Sequence, residues 1–163
     1  MPARYNVLFL CTGNSARSIM AEAILNARGK DFFTAYSAGS QPTGNVRPEA
    51  LDQIKAAGLD ADGLLSKSWE EFASSGAPQM DFVFTVCDNA ANETCPLWPG
   101  QPITAHWGVP DPAAVKGTPE QIARAFRDAF LILDRRINLL LNLPLESLDT
   151  LAIKKAVHHI GGQ

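Results

Sequence analysis

Two hydrophobic rhythms alternate along this chain. Tyr5 to Leu10 (YNVLFL) is a short apolar run that breaks at CTGNS, and from Arg17 to Arg28 the apolar residues Ile19, Met20, Ala23, Ile24 and Ala27 return at helical spacing. That reads as strand, loop, helix. A second strand is predicted over Phe32 to Gly39 (FFTAYSAG), stopped by glycine, and a helix over Pro48 to Gly58, with proline near its start and glycine just past its end. Asp81 to Val86 (DFVFTV) and Ile103 to Trp107 predict a third strand and a shorter fourth, set off by proline and glycine. From Thr118 to Leu143 the series Ile122, Ala125, Phe126, Ala129, Phe130, Leu133, Ile137, Leu140 and Leu141 predicts a long amphipathic helix, closed by Pro144. One further helix is expected over Leu145 to Ile160.

Strands alternating with helices predict an α/β fold, a mainly parallel sheet with helices on both faces. Ligands of such sheets bind outside the carboxyl ends of the strands. That rule singles out three residues. Cys11 directly follows the first strand, Cys87 directly follows the third, and Asp111 lies four residues beyond the fourth. All three are expected to converge on one crevice.

Composition narrows the picture. The 163 residues show no repeat and no linker, so one domain over 1–163 is expected, monomeric by default. A net charge of −3 leaves no basic footprint for nucleic acid or an anionic membrane, so any bound anion must be small and locally held. The apolar run in MPARYNVLFLCTGN is too short for a signal segment or a membrane span, which makes the expected compartment the cytoplasm. Three cysteines make an odd count, unlike a secreted disulfide framework. They point to reactivity or to core filling.

The loop CTGNSARS carries the chemistry. It sets Cys11 and Arg17 with five residues between them, from a strand end to a helix start, where inward-turned backbone N–H groups and the helix dipole make a nest for a tetrahedral oxyanion. Thr12, Gly13, Asn14, Ser15, Ala16, Arg17 and Ser18 are the expected oxyanion-binding residues, with Gly13 permitting a backbone path that other residues resist. Arg17 offers a planar fork to two oxygens of one anion, Ser18 a hydrogen bond to the Cys11 sulfur, and Asn14 a brace for the loop. The nest that binds the anion also favours the thiolate of Cys11, the nucleophilic form.

With these motifs the chain resembles the low-molecular-weight tyrosine phosphatase superfamily, and within it the arsenate reductases that combine this loop with further redox cysteines. The resemblance runs through CTGNSARS, MAEA, YSAGS, FTVCDNAANETCP and HWGVPDPA. It implies a four-stranded parallel sheet flanked by helices, a covalent intermediate on Cys11 and no catalytic metal. Asp111-Pro112 matches the family's general acid. Relatives that hydrolyse phosphotyrosine usually carry an aromatic residue after that pair, where this chain has Ala113 and Ala114. Hydrolysis of phosphotyrosine or small aryl phosphates is therefore the alternative to arsenate reduction.

Reduction by this resemblance needs Cys87 to attack the Cys11 sulfur and Cys95 to carry the disulfide outward. The expected partners are arsenate, with phosphate or sulfate competing, and a thiol reductant: thioredoxin, glutaredoxin with glutathione, or mycothiol. No tightly bound cofactor is expected. The two later cysteines are one residue further apart than in the thioredoxin-coupled pattern, and Lys67 stands where those relatives carry an acidic potassium ligand. Glu22, Asn14 and Ser37 match the remainder of that ion site, so the Lys67 ammonium is expected to replace potassium and brace Asn14. An oxyanion-binding sensor or adaptor that keeps the nest without using the thiol is the non-enzymatic alternative. His106 reads as a hydrogen-bonded structural histidine, the His158-His159 pair as a solvated helix end, and Trp69, Phe72 and Trp98 as core or rim. Zinc binding by Cys87, Cys95 and His106 lacks both a C-x-x-C spacing and a fourth ligand.

Overall fold

The computed structural model describes residues 4–74, 76–86 and 101–162. Strands β1 (Tyr5–Leu10), β2 (Phe33–Ala38), β3 (Phe82–Thr85) and β4 (Ile103–His106) form one sheet in the order β2-β1-β3-β4, with every pair parallel. The chain starts at the centre, moves outward to β2, then crosses back to β3 on the other side of β1. That reversal between β1 and β3 opens a crevice at their carboxyl ends. Leu10 pairs with Ala38 on one side and Thr85 on the other, so Cys11 leaves the sheet at the reversal.

Side chains of β1 alternate between two cores, as the pleat requires. Val7 and Phe9 face the larger one, which is built from helices α1 (Arg17–Arg28), α2 (Pro48–Ala56), α4 (Pro119–Leu141) and α5 (Thr150–Gly161). Leu8 and Leu10 face the smaller one with Val83, Met80 and Phe72 of the one-turn helix α3 (Glu70–Ala73). The expected helices on both faces are present, unequally. Among the described residues α3 is the only helix on the second face, and its four residues were too short to register as a helical period.

Helix α4 follows the predicted apolar stripe, with Phe126, Ala129, Phe130, Leu133, Ile137 and Leu140 buried. Its start is a capping box: the Thr118 side chain accepts from the Gln121 N–H while the Gln121 side chain accepts from the Thr118 N–H, an arrangement worth about 1 kcal/mol. The single helix expected over Leu145 to Ile160 is corrected. Leu145–Ser147 is a 3₁₀ turn, and α5 begins only at Thr150, where Asp149 accepts from the Ala152 N–H at 2.8 Å. Leu145 and Leu148 mimic a helical stripe because the turn also packs them against the core. His158 and His159 are exposed in the last turn of α5, as expected of a solvated helix end. No helix among the described residues is long and apolar enough to cross a membrane.

Candidate active site

Residues 11–16 connect β1 to α1, and the loop is held open from outside. The Gln41 N–H donates to Thr12 O (2.9 Å), the Thr43 N–H to Gly13 O (3.1 Å) and the Arg47 N–H to Ser15 O (2.8 Å). Ser66 Oγ adds a second bond to Gly13 O at 3.1 Å. With these carbonyls engaged by the 41–47 segment, the opposite, amide side of the loop is left for an anion. Helix α1 starts at Ala16–Arg17 without a side-chain cap, so its first N–H groups add to the same donor set. The Cys11 thiol lies at the base of this loop, 5% exposed.

Backbone geometry corrects one sequence expectation. Gly13 does not occupy the left-handed region; Asn14 does, at φ 46°, a conformation that asparagine tolerates better than most residues. Asn14 is fully buried and braces the loop at both ends of its amide: Oδ1 accepts from the Lys67 N–H (2.8 Å) and Nδ2 donates to Ser18 Oγ (2.8 Å). Ser18 thus accepts from Asn14 and keeps its own hydroxyl proton to donate.

The glycine that this site cannot lose is Gly39, at the end of β2. A Cβ there would stand 2.4 Å from Thr12 O, 2.5 Å from Cys11 O and 3.0 Å from Asn14 N, all backbone atoms. Gly39 is also fixed from its other side, donating to Lys67 O and accepting from the Trp69 N–H, both at 2.9 Å. Gly39→Ala should therefore displace the loop, lowering stability by about 1–3 kcal/mol and weakening phosphate binding about tenfold or more. Thermal melts with and without phosphate measure both effects; an unchanged phosphate-induced shift would contradict this role for Gly39.

Lys67 meets its expectation in part, its ammonium standing at Glu22 as expected. Its backbone N–H, and not its ammonium, braces Asn14; Nζ donates to Leu65 O (2.6 Å) and stands 3.8 Å from Glu22 Oε1. Glu22 accepts from Ser37 Oγ in the same pocket beneath the loop. Burial pushes the Glu22 carboxyl above its ordinary value of 4.5, against the opposing pull of Ser37 and Lys67. A raised folded-state value means the folded chain holds this proton more tightly, so the associated stability is full below 4.5 and is lost as pH rises. The Tm of Glu22→Gln relative to the parent should thus climb between about pH 4 and pH 7. A relative Tm that falls over that range would mean that pairing with Lys67 and Ser37 outweighs burial.

The loop carrying Asp111 folds back over the nest. The Val109 N–H bonds to Val86 O (3.0 Å), continuing the sheet beyond β4, and Trp107 stacks on Phe84 at 4.0 Å between ring centroids while Nε1 donates to Val157 O. Such a stack contributes about 0.5–1.5 kcal/mol beyond burial. Arg17 Nη1 donates to Val109 O (2.8 Å) and Nη2 lies 3.6 Å from Asp111 Oδ2. Asp111 in turn caps the 3₁₀ turn Pro112–Ala114 by accepting from the Ala113 N–H at 2.9 Å. The turn reading and the acid reading of Asp111 are compatible: one oxygen holds the turn and the other faces Arg17.

A buried thiol on an anion nest, an arginine in the loop and an aspartate brought to that arginine by a later Asp-Pro turn form a pattern shared by known proteins. The model of the family described as low molecular weight phosphotyrosine protein phosphatase matches residues 6–153. This chain belongs to that family. An arsenate reductase from Halalkalibacterium halodurans is 38% identical over 121 residues, 74% of this chain and 84% of that one. The structure of an arsenate reductase in its phosphate-binding state is similar at TM-score 0.65 and 26% identity, over 83% of this chain and 95% of that one. A low-molecular-weight protein tyrosine phosphatase from T. tengcongensis is similar at TM-score 0.68 and 26% identity, over 88% and 99%. The family fold, a four-stranded parallel sheet with helices, is the one described above.

Of the residues singled out in the sequence, Cys11, Arg17, Asp111 and the loop 12–18 come together at the carboxyl edge of the sheet. Cys87, Cys95 and Trp98 lie outside the described residues. His106 bonds through Nδ1 to Thr85 Oγ1 at 2.7 Å, as a structural histidine does. Gly39 and the 41–47 segment escaped the sequence reading because their part is played by backbone atoms. The SAGS stretch was the one available signal.

Proposed function

We propose that this protein reduces arsenate to arsenite in arsenic detoxification. The observation that carries the reading is the buried Cys11 at the start of an amide-lined loop, with Arg17 of that loop bonded to Val109 O and 3.6 Å from Asp111. Val86, the last described residue before position 87, donates its N–H to Leu10 O at 2.9 Å, at the strand end where this loop begins. Curated relatives that are arsenate reductases and a structural relative in a phosphate-binding state support an arsenic or phosphorus oxyanion as ligand.

In the reaction, the Cys11 thiolate attacks arsenic while the loop amides and Arg17 hold the remaining oxygens. Asp111 gives a proton to the departing oxygen, which leaves as water, and an S–As bond remains. The Cys87 thiolate then attacks the Cys11 sulfur. The S–As bond breaks with its electron pair going to arsenic, so As(V) becomes As(III) and the two thiolates become a disulfide. Cys95 attacks Cys87, freeing Cys11, and an external thiol reductant reduces the second disulfide. Ser18, its oxygen already accepting from Asn14, has its proton free to stabilise the Cys11 thiolate.

The reductant is thioredoxin, glutaredoxin with glutathione, or mycothiol. Arsenate-dependent NADPH oxidation, measured with each coupled system in turn, should run about tenfold faster or more with one than with the other two. Absence of arsenate-dependent oxidation with all three would overturn the proposal.

A further inference from the structure

Helix α4 buries one guanidinium that the hydrophobic pattern does not announce. Arg136 is 7% exposed, on the same face as Leu133, Ile137 and Leu140, where the helical stripe calls for another apolar side chain. Burial lowers its affinity for the proton relative to an ordinary arginine, yet the guanidinium stays charged near neutral pH. An apolar residue of similar length would fill this place without a desolvated charge.

Nη1 of Arg136 donates to Gly108 O at 2.9 Å. Gly108 lies between Trp107, anchored by its stack on Phe84, and Val109, whose carbonyl accepts from Arg17. Successive carbonyls of the same loop are thereby held by two guanidiniums, one from the anion nest and one from α4. Three residues further on is Asp111. Arg17 must also serve the oxyanion, and every bond it gives to the anion competes with its hold on Val109 O and Asp111. The bond from Arg136 to Gly108 O comes from α4 and not from the loop 12–18, so oxyanion binding by Arg17 does not draw on it.

We infer that Arg136 is a positioning residue for the general acid: it fixes the 107–111 loop so that Asp111 stays over the anion when Arg17 turns to bind it. This rests on the acid role of Asp111 proposed above. Its consequence is a separation of effects. Loss of the guanidinium should slow the chemical step without weakening the nest, since its bond is to the loop that carries Asp111.

The test compares Arg136→Met, Arg136→Lys, Asp111→Asn and the double variant Arg136→Met/Asp111→Asn, using arsenate turnover and inhibition by phosphate. Arg136→Met should lower kcat about tenfold or more, leave the phosphate inhibition constant within about twofold, and be partly restored in Arg136→Lys. The double variant should turn over no more slowly than Asp111→Asn alone, since the arginine acts through the acid. Multiplied effects in the double variant, or a parent-like kcat in Arg136→Met beside an impaired Asp111→Asn, would overturn the inference while leaving the acid in place. A parent-like Asp111→Asn would remove the acid assignment itself, and this inference with it. If Arg136→Met does not fold, Arg136→Lys decides: it retains charge but not the planar fork, and an unchanged kcat with a weakened phosphate constant would refute positioning.

Discussion

Replacing Cys11 by serine should slow arsenate reduction by about 10³-fold or more while phosphate still protects the fold against heat. The two readouts separate because two parts of the site do separate work. In the proposed site the oxyanion is held by backbone N–H groups of residues 12–18 and by Arg17; the carbonyls of Thr12, Gly13 and Ser15 are engaged elsewhere, by Gln41, Thr43, Arg47 and Ser66. None of these is altered by exchanging sulfur for oxygen. The covalent step does depend on sulfur: a serine hydroxyl is a poor nucleophile without a base, and no disulfide can form on oxygen. Retained turnover would mean that Cys11 is a packing residue and not the nucleophile. Loss of phosphate protection together with turnover would mean that the thiolate holds the loop in shape.

The second large effect concerns Cys87. Cys87→Ser should cut multiple-turnover arsenate reduction by about 10³-fold or more, yet leave any hydrolysis of para-nitrophenyl phosphate within about twofold of the parent. Hydrolysis of a phosphate ester needs only the nest, the Cys11 nucleophile and an acid, with water completing the cycle. Reduction needs two electrons, and these reach arsenic as the S–As bonding pair only when a second thiolate attacks the Cys11 sulfur and forms the disulfide. The aryl phosphate serves here as a control, since Ala113 and Ala114 follow Asp111-Pro112 and offer no aromatic wall to a substrate ring. Equal arsenate turnover by variant and parent would sink the relay and favour the phosphatase reading.

The parts of this account that the sequence made legible are those written in side chains. The loop CTGNSARS, bounded by an apolar run and a helical stripe, marks the nest, and the strand-end rule puts Asp111 at the same edge, where it lies 3.6 Å from Arg17. Elements with a long period, such as α4, were legible for the same reason. What escaped was written in the backbone or in exceptions to the pattern. Gly39 matters because three backbone atoms crowd the place of its missing Cβ. The brace on Asn14 comes from the N–H of Lys67, which any non-proline residue would supply, so the identity of the side chain pointed to the wrong atom. Arg136 sits at a core position of the α4 stripe, where a charged residue breaks the rule and no pattern marks what it holds. The helix expected from Leu145 is shorter because a 3₁₀ turn and a helix bury the same leucine, while the Asp149 cap starts α5 only at Thr150.

The central claim is that two thiols of this chain supply both electrons to arsenic. Fully reduced protein mixed with excess arsenate, with no external reductant present, tests it in a single turnover. The account predicts about one arsenite formed per chain, the loss of two thiols, and a disulfide joining Cys11 to Cys87 or Cys87 to Cys95 by peptide mass spectrometry. Arsenite absent, or formed with all three thiols still titratable, would contradict it.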